Sequence, residues 1–191
     1  MPRTVGRPAA GGEGHSSADS AEDVARIERE RWHSDHAPVS TAKLESQQGD
    51  RATLDLQFVS PFSLQRLDRI ELAIVRSDDL QRTAQLAGSR PQEELDAQAW
   101  GPYRFAAGAD GADTNGQTVR PFGLAVGRGR PFAVERTRPP HWQECNDRGQ
   151  RGSDQWSRTP IRLVIRCHKE EFEPWVVPYD VEVSPFDPQL F

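Results

Sequence analysis

Between Arg128 and Lys169 the chain carries nine arginines and one lysine against the carboxylates of Glu135, Glu144, Asp147 and Asp154. The cations exceed the anions by six in a chain whose net charge is −5. Trp142 and Trp156 lie in the same segment. Arginine beside aromatic rings suits recognition of an anion or an acidic protein surface, because the guanidinium is planar, multidentate and able to stack. Single-stranded nucleic acid is a lesser candidate for the same chemistry. The same residues also suit a plainer role, with arginines on the wet face of strands and tryptophans covering the ends of a sheet stack. Arg136, Arg138, Trp142 and Trp156 are the candidate partner-binding residues.

Other constellations are thinner. His141, Cys145, Cys167 and His168 are zinc-ligand types, and His141 and Cys145 have the His-x3-Cys spacing of one turn. Cys167 and His168 are adjacent in an alternating segment, so their side chains must diverge, and no metal is expected. Asp110, Asp113 and Asn115 precede Gly116. Counting Gly116 as the sixth position of a calcium loop puts Gly111 first and Phe122 twelfth, so two ligands are missing. Asn115-Gly116 is expected to be a hairpin turn, since both residues tolerate positive φ. No Gly-x-Ser-x-Gly elbow occurs. A small enzyme would have to use His141 or His168 with a carboxylate or thiol, because His15, His33 and His36 fall in a polar head. Trp100-Gly101-Pro102-Tyr103 offers aromatic faces that suit a sugar, or a plug at the edge of a sheet stack. No cofactor is expected.

The elements that would hold these residues are short and alternating. Ile161, Leu163, Ile165 and Cys167 point one way, and Arg162, Val164 and Arg166 the other, the period of a half-buried strand. The same period runs through Leu54, Leu56 and Phe58, through Ile70, Leu72 and Ile74, and through Val177, Tyr179, Val181 and Val183. Tyr103 with Phe105, Val119 to Val126, and Phe132 with Val134 complete about seven strands. No helix-length crossovers alternate with them, so the sequence predicts an all-β, antiparallel immunoglobulin-like sandwich over residues 50–186. Residues 1–45 read as a head, disordered through residue 19, with a short charged helix near 21–33. Ser20 and Asp23 resemble a capping box, and Pro38 lies beyond the helix end. Val59-Ser60-Pro61-Phe62 and Val183-Ser184-Pro185-Phe186 read as two strand exits, each with a phenylalanine returning to the core.

At 191 residues one domain plus an appendage is the natural division. The modest net charge favours solubility. No stretch is apolar enough to span a bilayer, and the first residues lack a secretory core, so the cytoplasm is the expected location. With only two cysteines, reduced thiols are expected there, with Cys167 a small core residue.

Arg31-Trp32 with Pro38, the strands over 54–58 and 67–75, Trp100-Gly101-Pro102, Pro131-Phe132, Pro139-Pro140-His141-Trp142, Ile161–Cys167 and Glu173-Pro174-Trp175 together resemble a set of uncharacterised bacterial proteins from GC-rich genomes. The resemblance implies a β-sandwich and brings no activity. The expected function is a non-enzymatic, soluble interaction or adaptor module that recognises a protein partner through its basic aromatic loop. The alternatives are a carbohydrate- or anion-binding module, or the small enzyme already described.

Overall fold

The computed structural model describes residues 14–75, 101–137 and 159–183. They divide between a helical unit that ends at Ala37 and a β unit that begins at Pro38.

The helix α1 spans Gly14–Asp35, so it begins within the stretch expected to be disordered and outruns the expected 21–33 at both ends. Its side chains from Ser20 onward are almost all exposed. Arg26 bridges Glu30 at 3.0 Å and Asp23 at 3.3 Å, the i,i+4 and i,i+3 spacings that meet on a helix surface. Val24, Ile27 and Trp32 are exposed, and the Trp32 ring stands 4.8 Å from that of His36.

The β unit holds eight described strands: β1 (Val39–Gln48), β2 (Arg51–Ser60), β3 (Arg66–Ile74), β4 (Tyr103–Phe105), β5 (Phe122–Ala125), β6 (Gly129–Arg136), β7 (Ile161–His168) and β8 (Trp175–Val181). They form two four-stranded sheets, in the orders β1-β2-β6-β4 and β5-β3-β7-β8. Every pairing within them is antiparallel. Among the described residues the protein is therefore all-β apart from one helix and one 3-10 turn at Phe62–Leu64.

Alternation builds the core. Leu54, Leu56 and Phe58 of β2, Phe132 and Val134 of β6, and Tyr103 and Phe105 of β4 are buried on one sheet. Leu67, Ile70, Leu72 and Ile74 of β3 and Ile161, Leu163, Ile165 and Cys167 of β7 face them from the other, all within one apolar cluster. The sheets meet at phenylalanine rings. Phe122 of β5 lies 5.2 Å from Phe132 of β6, and Phe132 lies 6.0 Å from Phe105. Each such side chain contributes about 1.5–3 kcal/mol by leaving water, before chain entropy opposes it.

Three expectations are corrected. Val39–Gln48, most of which was read as head, is a ten-residue strand paired with β2. Its pattern is faint because, among its described side chains, Ala42 and Leu44 are the apolar ones that join the core, as befits a strand at a sheet edge. Phe62 does not return to the core. It is 74 % exposed, and Leu64, two residues on, takes the buried place. Asn115-Gly116 does not close a hairpin, because β4 and β5 belong to different sheets and the chain crosses between them. Phe186 lies outside the described residues.

The crossing is tied down by two aspartates. Asp113 Oδ1 accepts from the amides of Asn115 (3.0 Å) and Gln117 (2.9 Å). Its Oδ2 accepts from the Thr118 amide (3.0 Å) and hydroxyl (2.7 Å). Asp110 Oδ2 accepts from the amide of Ala133 on β6 at 3.1 Å. The carboxylate thus continues the ladder where β4 has run out. Arg130 lies 3.8 Å from Asp110 Oδ1, and its guanidinium stacks over Phe122 and Phe132, at 4.6 and 5.2 Å from the ring centroids.

Burial pushes the Asp113 carboxyl up, but the four hydrogen bonds outweigh it and hold the group below its ordinary value of 3.8. A carboxyl lowered by folding stabilises the fold above its unfolded pKa, and that stability is lost as pH falls through the folded value. Asp113→Asn turns a donor toward the Thr118 amide and is expected to cost about 1 kcal/mol at pH 7, a figure discounted for partial exposure. Urea melts should show the gap between wild type and variant closing below about pH 4. A gap that is the same at pH 3 and pH 7 would remove the carboxylate from this account.

Candidate functional site

The ends of β3 and β6 and the starts of β4 and β7 lie together at one end of the β unit. Val75 N donates to Arg162 O at 2.9 Å, Arg136 N to Asp50 O at 2.7 Å, and Thr137 N to Pro102 O at 3.1 Å. The segments 76–100 and 138–158 both connect at this end, and they lie outside the described residues.

Arg136 is the last residue of β6 and follows Phe132 and Val134 in the core-facing register. It stands directly opposite Tyr103 of β4, with its guanidinium 5.6 Å from the centre of the Tyr103 ring. Tyr103 is almost wholly buried. Burial pushes its phenol up, an effect partly offset by the neighbouring Arg136 charge, so the hydroxyl stays protonated at neutral pH. The cation lies over the ring, an attractive contact that holds the Arg136 head group beside Tyr103 at the end of β6. Thr137, buried, roots the connection that follows. Arg138, Trp142 and Trp156 lie outside the described residues, so Arg136 alone of the four candidates is placed.

The neighbouring outward position is neutralised. Glu135 lies opposite Arg104 on β4, and the guanidinium meets its Oε1 at 2.7 and 2.9 Å. Of the four acids in the basic segment, this one is held by an arginine from outside it.

Of the metal and enzyme candidates, Cys167 and His168 are described, and they face opposite sides of β7. Cys167 is fully buried, and burial pushes its thiol up to about 11. His141 and Cys145 lie outside the described residues. Among the described residues no three His, Cys, Asp or Glu side chains are grouped to hold a metal ion. At the suggested calcium loop, Asp113 and Asp110 face N–H and O–H donors, the reverse of what a cation needs. Trp100 of the suggested sugar platform lies outside the described residues, and Tyr103 is turned into the core.

One cluster went unread in the sequence. Glu71 Oε1 lies 2.9 Å from Arg69 Nη2 and 3.5 Å from His168 Nε2, and Oε2 lies 3.9 Å from Arg166 Nε. Beside it Asp68 accepts from the Glu170 amide at 3.0 Å and lies 3.7 Å from Lys169 Nζ. Alternation alone places Arg166 and Glu71 on wet faces. It takes the register Glu71↔Arg166 and Arg69↔His168 to bring them together. The cluster gives His168 a carboxylate neighbour on the outer face of a sheet.

The comparisons add no relative: the chain matches no family model, no curated protein and no solved structure.

Proposed function

We propose that the chain is a non-enzymatic interaction module that takes a protein partner at the end of the β unit where Arg136 stands. The supporting observation is the stacked, core-facing Arg136 at the root of the 138–158 connection, where a basic, tryptophan-bearing segment departs. A rigid sheet end that presents a long connection is the usual way a β fold carries recognition. Arg136, Arg138, Trp142 and Trp156 are the anchors, being of the residue types that dominate interface energies. The cytoplasm is part of the same reading. Among the described residues no helix is long and apolar enough to cross a membrane.

The finer fold assignment belongs to the proposal too. The strand orders support an immunoglobulin-like sandwich in which β1, β2, β6 and β4 take the places of A, B, E and D. Strands β5, β3, β7 and β8 then take those of C′, C, F and G. The departure is that β4 precedes β5 in the chain, so D comes before C′.

The test is an affinity pull-down from native lysate. Wild type is run beside a variant carrying Arg136→Ala, Arg138→Ala, Trp142→Ala and Trp156→Ala, with circular dichroism showing that the variant folds. The expected outcome is a protein retained by wild type and reduced at least about tenfold on the variant. Equal retention by both would end the proposal.

A further inference from the structure

The four sheet edges are not treated alike. At the β4 edge the strand is three residues long, and Asp110 occupies the next amide of β6. At β5 it is four residues long, and β3 continues beyond it by donating Ile74 N to Gln117 O at 2.8 Å. At β8, Pro178 removes an amide. These are the devices by which proteins close an edge against added strands. β1 is ten residues long, contains neither proline nor glycine, and pairs among the described residues with β2 alone. Its regular part, Ser40–Glu45, keeps one register with β2, and a shift follows between Glu45 and Gln48.

We propose that β1 is the seam of a symmetric dimer: two copies of this chain pair β1 with β1 antiparallel and join their first sheets into one continuous sheet. The occupant is argued from the charge pattern. In an antiparallel self-pairing, a two-fold axis at Leu44 sets Lys43 of each copy opposite Glu45 of the other, giving two attractive cross-strand pairs. An axis at Lys43 would set that charge against itself, and an axis at Ala42 would leave Lys43 facing Thr41. Lys43 and Glu45 are exposed on the outer face, where they already bridge within the strand. Leu44 is half-buried at the rim of the core, and its counterpart would cover the part left in water. The seam runs along the outer edge of the first sheet, two strands from β6, which carries Arg136.

Sedimentation equilibrium of the full chain from about 1 µM to about 1 mM is expected to show a monomer–dimer equilibrium. Lys43→Glu and Glu45→Lys, each shown to fold by circular dichroism, should each weaken the dimer at least about tenfold by opposing like charges twice. The double variant Lys43→Glu/Glu45→Lys restores opposite charges across the axis and should return to within about threefold of wild type. A monomer at every concentration overturns the proposal. So do single variants that associate like wild type, or a double variant that stays as weak as the singles.

Discussion

Phe132→Ala is expected to lower stability by about 4 kcal/mol, a large part of what a domain of this size possesses. Phe132 is fully buried and stands where the two sheets touch, between Phe105 of its own sheet and Phe122 of the other. Truncation opens a cavity between sheets whose backbones are each held by their own ladders, so neither collapses easily into the gap. It also strips Arg130 of one of the two rings over which it stacks. Phe132→Leu keeps most of the volume and should cost about 1 kcal/mol. Urea denaturation followed by tryptophan fluorescence gives both values. A loss below about 1 kcal/mol for the alanine variant would mean that the sheets do not rely on this ring.

Gly116→Ala is expected to cost about 3 kcal/mol for the addition of one methyl group. Gly116 has φ of +69°, which disfavours a side chain before any contact is considered. A Cβ there would fall 2.5 Å from the carbonyl oxygen of Phe105 and 3.1 Å from Arg104 Cβ. The first is backbone in a strand of the sheet, and Phe105 N is bonded to Gly116 O at 2.8 Å, so the two chains cannot part without losing that bond. Gly127→Ala is the control. Its φ of +73° imposes a similar backbone strain, but nothing lies within 4 Å of its Cβ position. The difference between the two melts isolates the collision. Equal losses would attribute the whole effect to backbone conformation and remove the close approach from the account.

The strands that packing makes emphatic were the legible ones. β7 reads from its residues because Ile161, Leu163, Ile165 and Cys167 are all buried, and each position between them is at least partly wet. β1 was not legible, since an edge strand buries only a margin and Thr41, Lys43 and Glu45 occupy its outer face. The Asn115-Gly116 signal was real as a tight turn and misleading as a hairpin. Local turn chemistry fixes a change of direction, whereas Asp113, through bonds to residues up to five positions away, decides what the turn connects. The Pro61-Phe62 exit failed for a related reason. The 3-10 turn delivers Leu64, not Phe62, to the core. At the candidate site the type and place of Arg136 were legible in the sequence. Its stacking on Tyr103 was not, since it depends on a strand pairing between residues 33 positions apart.

The inward cysteine of β7 gives the molecule its own reporter. A thiolate is the species that alkylating reagents attack, and the Cys167 thiol is buried and held far above neutral pH in its ionisation. In a Cys145→Ser background, labelling of Cys167 can proceed only when the sheet containing β7 opens. The rate of modification by iodoacetamide therefore measures how often the core admits solvent, without denaturant and at any temperature chosen. The residue that the metal and enzyme candidates could not use becomes a clock for the breathing of the fold.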